Sequence, residues 1–232
     1  MRGFWGRKAV FTAVVFLCMV LVSASCFADT IEKLDSRIDE TRLILNDMRR
    51  MPDQGIPKDL LESCSGIAIF PSVLKGAFGI GGQYGQGVLL YRDKSTGKWS
   101  PPAFLSIGGL SIGFQIGGQA TDMILVIMNE RGVKALSHGN VTLGGDASVA
   151  AGPVGRDAQV GTDVTLRAGI LSYSRNKGLF AGVSLKGALV GPMKDLNQDY
   201  YGEGVTAGDI LFTGKVKPTK KGQELIDTLS KY

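Results

Sequence analysis

The chain is predicted to be an α+β protein, in which a glycine-rich, strongly curved antiparallel sheet or partly closed barrel carries peripheral helices at both ends. Three observations predict this. Twenty-nine of the 33 glycines lie between Gly66 and Gly214, interleaved with short apolar runs bounded by turn residues, the pattern of strands. Residues 30–51 place Ile31, Leu34, Ile38, Leu45 and Met48 at spacings of three, four and seven, one face of a helix. The tail KPTKKGQELIDTLSKY puts Leu225, Ile226 and Leu229 on one side of a last helix.

In chain order, residues 1–28 have the form of a signal peptide. Arg2, Arg7 and Lys8 precede an apolar run at residues 9–22, followed by small residues. That run is short for a bilayer span, which needs about 20 residues, so export is favoured over an uncleaved anchor. Cleavage after Ala28 starts the mature chain at Asp29. Cys26 is an alternative lipidation site, although Ser23 stands where such sites carry a bulky aliphatic residue. Without the leader the formal charge of +5 falls to +2, which removes the main support for nucleic-acid binding. Cys64 is then the one cysteine left, so no disulfide framework holds the fold.

Residues 29–56 are read as an N-terminal helix and linker, with Asp29 as N-cap and Pro52 as its stop. The β-rich domain follows at residues 57–232. It opens with a short helix having Pro57 in its first turn and its exit at Gly66. The runs GIAIF, GVLLY, DMILVIM, NVTLG, DASVA, TDVTL and GLFAGVSLKGALV are strands of the antiparallel sheet, and KSTGK is a hairpin turn between GVLLY and WSPPAF. A short helix crosses from Asn129, its N-cap, to Ser137, with Gly139 just past its end. FGIGGQ at Phe78 returns as FQIGGQ at Phe114, one recurrence and too little for a repeat architecture.

The stretch FGIGGQYGQG raises the question of a phosphate cradle. A dinucleotide fingerprint needs glycine at its sixth position and a helix behind it; here Tyr84 takes that position and the β-prone GVLLY follows. The glycines are therefore read as shaping the sheet, and valine at Gly81 or Gly82 is expected to disturb folding.

Enzyme chemistry finds little support. His138 is the single histidine, which rules out sites built from several histidines, and its place at a helix end reads as a cap. Cys64 reads as a buried structural thiol. No calcium loop can be drawn through Asp122, Asp146, Asp157 and Asp163, and Asp146 reads as a turn residue. No metal or cofactor is called for. A hydrolase or small-ligand enzyme with a site around His138 is the rival reading.

Residues 60–214 resemble the SYLF domain family. The likeness rests on GIAIFPSVLKGAFGIGGQYGQGVLL, KWSPPAFLSIGGLSIGFQIGGQATDMILVIMN, NVTLGGDASVAAGPVGR, SRNKGLFAGVSLKGALV and GDILFTG, in that order. The resemblance implies a non-enzymatic module that associates with membranes, in eukaryotic members through phosphoinositides and an amphipathic N-terminal helix. On this chain that helix would offer Ile31, Leu34, Ile38 and Leu45 to lipid. With five basic and six acidic residues between Asp29 and Met51, however, it is not basic as a membrane-surface helix is, and packing on the sheet is the competing role for the stripe. Lys215, Lys217, Lys220 and Lys221 form a better electrostatic candidate for anionic lipid. The expected function is an exported, periplasmic or envelope-associated lipid-binding module, with an envelope protein partner as a further alternative. Neither phosphoinositide selectivity nor actin binding carries over, because an exported chain does not meet the cytoplasmic actin of its own cell.

Overall fold

Among the described residues, nine strands form one curled, mostly antiparallel sheet, a half-barrel ordered β5-β9-β3-β2-β1-β4-β7-β6 with β8 added to β7. The computed structural model describes residues 30–50, 55–78, 80–111, 117–155, 168–176 and 178–232. The expected leader with Cys26, the helix signals Asp29 and Pro52, Gly79, residues 114–116 of the FQIGGQ echo, Asp157, Asp163 and the strand expected at TDVTL lie outside these.

The strands are β1 (Gly66–Phe78), β2 (Ile80–Tyr91), β3 (Ala103–Ser111), β4 (Gly117–Ile127), β5 (Val141–Thr142), β6 (Val149–Ala151), β7 (Ile170–Asn176), β8 (Leu179–Gly182) and β9 (Leu189–Pro192). The helices are α1 (residues 30–50), α2 (Lys58–Ser63), α3 (Glu130–His138), α4 (Lys194–Tyr201), α5 (Ala207–Phe212) and α6 (Lys220–Leu229).

Both faces of the central strands are covered, so their sequences are continuous apolar runs rather than alternating ones. Met123 to Ile127 are all 0% exposed. On one face Phe70, Leu105 and Leu125 meet Val133 and Leu136 of α3 and Ile210 of α5. On the other, Ile69, Val88 and Phe104 meet Leu34, Ile38 and Leu45 of α1 and Leu225 of α6. Each such leucine or isoleucine contributes roughly 2 kcal/mol on burial.

β1 bends at a bulge. Its register with β2 slips between Ile69 and Leu74, and Ser72 takes the left-handed conformation at φ 51°. Asp122 of β4 holds that turn, its Oδ1 accepting the Ser72 N–H at 2.9 Å. The bulge presses on β2, where a Cβ on Gly85 would lie 2.6 Å from Val73 Cγ2 and one on Gly87 would lie 2.1 Å from the Ile69 carbonyl oxygen. These two glycines are structural. Gly82 differs: a Cβ there meets nothing nearer than 3.9 Å, so internal packing gives no reason for valine at Gly82 to disturb the fold.

Four other expectations need correction. β6 runs parallel to β7, so the sheet is not wholly antiparallel. Pro57 is the N-cap of α2 rather than its first residue, and Gly66 begins β1. After the KSTGK turn the return is a single Arg92–Trp99 bridge, and the strand proper starts at Ala103. Two helices, α4 and α5, follow the last strand where the sequence reading placed no element; GDILF is helical because Thr206 and Asp209 form a capping box at its start.

Candidate functional site

The apolar stripe of α1 is turned inward. Leu34, Ile38 and Leu45 are buried under the helix, and Ile31 is half-buried. Polar ties surround this seat. Lys221 of α6 reaches Asp39 at 2.6 Å, and Arg42 pairs with Glu224. The Tyr200 hydroxyl donates to Asp35, and that of Tyr232 to the Leu45 carbonyl. At the far end of α1, Asp47 pairs with Arg175 of β7, which also holds Asp122. While α1 is seated, the three buried residues are not available to lipid. The sequence held no sign of these ties, since Asp39 and Lys221 are 182 positions apart.

The lysine run divides. Lys215, Lys217 and Lys220 are exposed, and none of them forms a salt bridge among the described residues. Lys221 is half-buried and paired; its hydrogen bond with Asp39 raises its pKa. Lys215 and Lys217 border an open cavity of about 600 Å³ that Tyr200, Tyr201, Glu203 and Asp209 also line. The Thr206 hydroxyl and N–H hold the Asp209 carboxyl below its ordinary pKa, so it stays an anion beside the two lysines.

His138 closes α3. Its Nδ1 lies 2.7 Å from the Lys134 carbonyl oxygen, a contact that requires the proton on that nitrogen. The Ser137 hydroxyl donates to the same carbonyl at 2.8 Å, so this serine–histidine pair, 3.0 Å apart, caps a helix and has no base oriented toward the hydroxyl. A cavity of about 240 Å³ lies at the other end of α3, lined by Asn129, Arg131, Asp146, Ser148 and Gly169, without His138. Asp146 is a turn residue, accepting the Thr142 N–H at 2.8 Å. Burial pushes the Cys64 thiol up to about 11, the opposite of an activated nucleophile. Among the described residues no three potential metal ligands gather, and no helix is long and apolar enough to cross a membrane.

The phosphate-cradle question is answered by the ladder. Gly81 and Gly82 sit in β2 opposite Ala77 and Gly76 of β1, within paired strands and not in a loop ahead of a helix. What the sequence reasoning missed is a set of exposed large apolar side chains on the sheet, Leu74, Tyr84 and Leu189. Apolar residues in strand runs read as core, and only the cross-strand register shows that no helix covers these.

Against known families, residues 108–232 match the profile of Ysc84, described as a Las17-binding protein actin regulator. The SH3 domain-containing YSC84-like protein 1 of Rattus norvegicus is 35% identical over 185 residues, covering 79% of this chain and 54% of its own length. The protein of the same name from Homo sapiens is also 35% identical, with 79% and 53% covered. LAS seventeen-binding protein 3 of Saccharomyces cerevisiae (strain ATCC 204508 / S288c) is 38% identical over 169 residues, 72% of this chain and 36% of its own. The chain thus spans about half the length of the YSC84-like relatives, and less of the yeast protein.

Proposed function

From the premise that the chain belongs to the Ysc84 (SYLF) family, we propose that it is a non-catalytic module that docks on anionic lipid, in an exported protein of the cell envelope. The observation that carries this reading is the set of Lys215, Lys217 and Lys220, exposed and forming no salt bridge among the described residues. Cations of this kind gain about 1 kcal/mol each near an anionic surface, and the gain is screened by salt. Export is supported by the basic, apolar and small-residue order of residues 1–28. Actin regulation belongs to the family description and is not proposed here, since the leader directs the chain away from the cytoplasm.

Vesicle co-sedimentation tests the lipid reading. The protein should pellet with vesicles of phosphatidylcholine and phosphatidylserine and not with phosphatidylcholine alone, and binding should weaken as salt rises. Replacing Lys215, Lys217 and Lys220 together by Gln should reduce affinity roughly 100-fold. Equal binding to both vesicle types at all salt concentrations would remove the electrostatic reading. Mass spectrometry of the mature N-terminus tests export, with Asp29 as the expected first residue.

A further inference from the structure

Three exposed large apolar side chains of the sheet, Leu74, Tyr84 and Leu189, share one register row, apart from the exposed Leu179 of β8. Ala120 of β4 faces Leu74 of β1, Leu74 faces Tyr84 of β2, Tyr84 faces Gly108 of β3, and Gly108 faces Leu189 of β9. Five adjacent strands thus contribute one residue each to a row roughly 19 Å long, at about 4.8 Å per strand. All lie on the face that α1 occupies. Leu74 follows Val73, which points into the opposite core layer; Leu189 precedes Val190, which does the same; and Tyr84 precedes Gly85, which lies against Val73. Leu74 is 64% exposed, Tyr84 53% and Leu189 49%. Leu74 and Tyr84 side by side, with Leu189 one glycine beyond Tyr84 in the same row, form a patch, unlike singly scattered residues.

The next row outward is Gly118, Gly76 and Gly82. A Cβ on Gly76 would meet nothing within 4 Å, one on Gly82 nothing nearer than 3.9 Å, and neither glycine has a positive φ. Glycine weakens a strand, and here no internal contact requires it. The bare backbone leaves room for a body that approaches from outside.

The chemistry of the patch selects that body. No carboxylate stands in the row. Tyr84 joins an apolar ring to a hydroxyl that accepts from Gln86 Nε2 at 3.0 Å, and such side chains suit a membrane–water boundary. Arg37 of α1 borders the row, half-buried and with no salt bridge among the described residues; burial lowers its pKa while Glu40 of its own helix and Tyr84 act the other way. An apolar strip edged by such a cation matches an anionic bilayer. At Leu74, Tyr84, Gly108 and Leu189 the strands are already paired on both sides, so an added peptide strand finds no free edge at these four positions.

We propose that the row Ala120, Leu74, Tyr84, Gly108 and Leu189 is the part of the sheet that enters the headgroup–acyl boundary of an anionic bilayer, with Arg37 facing lipid phosphate. This rests on the lipid reading and adds a contact that salt does not screen.

The experiment uses the full chain with phosphatidylcholine–phosphatidylserine vesicles at a salt concentration that suppresses the lysine contribution. Replacing Leu74, Tyr84 and Leu189 together by Gln should cut the remaining binding at least roughly tenfold, with the melting transition unchanged because all three are exposed. Tyr84→Trp should keep binding, and the added indole emission should shift to the blue on vesicles and be quenched by brominated acyl chains. Wild-type binding that the triple variant retains, or an indole that brominated lipid leaves unquenched, overturns the row and spares the lipid reading. Failure of the wild type to pellet with either vesicle type overturns both. Self-association that the triple variant abolishes while vesicle binding persists overturns the row as a lipid contact and makes it an interface between copies. Should the triple variant not fold, the Tyr84→Trp quenching decides alone.

Discussion

Arg175 Nη1 lies 3.0 Å from Asp122 Oδ2, and the other oxygen of Asp122 accepts the N–H of the left-handed Ser72. One carboxylate thus fixes the bulge of β1 and receives the guanidinium that also holds α1 through Asp47. Arg175→Met should destabilise the fold by about 2 kcal/mol, because it leaves the half-buried Asp122 without its cation and Asp47 with only Arg50 at 3.7 Å. A double-mutant cycle between Arg175→Met and Asp47→Ala, measured by urea unfolding, should show coupling of about 1 kcal/mol. Strict additivity would mean that the Arg175–Asp47 pair does not help to hold α1.

The glycines of β2 should separate by position. Gly87→Ala puts a methyl group 2.1 Å from the Ile69 carbonyl oxygen and 2.7 Å from Phe70 Cδ1, and a paired backbone oxygen has nowhere to move. A loss above about 3 kcal/mol is expected. Gly82→Ala meets open space and should change stability by less than about 0.5 kcal/mol. Thermal melts decide it: a Gly82→Ala protein that melts as low as Gly87→Ala would contradict the division.

What the sequence made legible was whatever repeats locally. Asn129 three residues before Gly132, with Gly139 beyond, marked α3, and the Asn129 side chain does accept the Gly132 N–H. Leu225 and Leu229 marked α6, and both are buried. α4 was illegible because its fully buried residue is an asparagine: Asn197 accepts the Phe104 N–H at 2.8 Å and returns a bond to the Phe104 carbonyl at 3.0 Å, a contact that periodicity of apolar residues does not register. The capping box of Thr206 and Asp209 was a readable sign of α5 that the strand and helix patterns around it did not use. At the candidate site the lysine run was readable as charge, but its division was not, since the partner of Lys221 lies on the first helix. The row of Leu74, Tyr84 and Leu189 depends on strand register across four pairings, which no local pattern encodes.

Alkali should expose the buried thiol. Desolvation, opposed by Arg92, pushes Cys64 from an ordinary value of 9.0 up to about 11. Between these values the folded state keeps a proton that the unfolded chain has released, so stability is unaffected below about pH 9 and falls as pH rises through the window. A loss of about 2 kcal/mol by pH 11 is expected from this group. Tyr91, Tyr173, Tyr200, Tyr201 and Tyr232, all pushed up mainly by burial, add further losses as pH nears their ordinary value of 10.0. Urea midpoints measured between pH 8 and about 9.5 should therefore decline more steeply in the wild type than in Cys64→Ala; parallel declines in both proteins would place the titration elsewhere.

Two adjacent lysines should behave oppositely. Lys220 is exposed without a salt bridge, whereas the Lys221 ammonium donates to Asp39 at 2.6 Å and lies beside the Arg42–Glu224 pair. Lys221→Gln removes a tie between α6 and α1 and should lower the melting temperature by a small, salt-sensitive amount, as surface pairs do, with little change in affinity for anionic vesicles. Lys220→Gln leaves every intramolecular ion pair intact, so its melting curve should overlay the wild type while vesicle affinity drops roughly fivefold. Lys220 acts in this comparison as a cation offered outward, and Lys221 as one already neutralised by the helix it holds. If Lys221→Gln weakened vesicle binding as much as Lys220→Gln, the lysines would have to act as a single diffuse charge, and the division that Asp39 imposes on them would carry no functional weight.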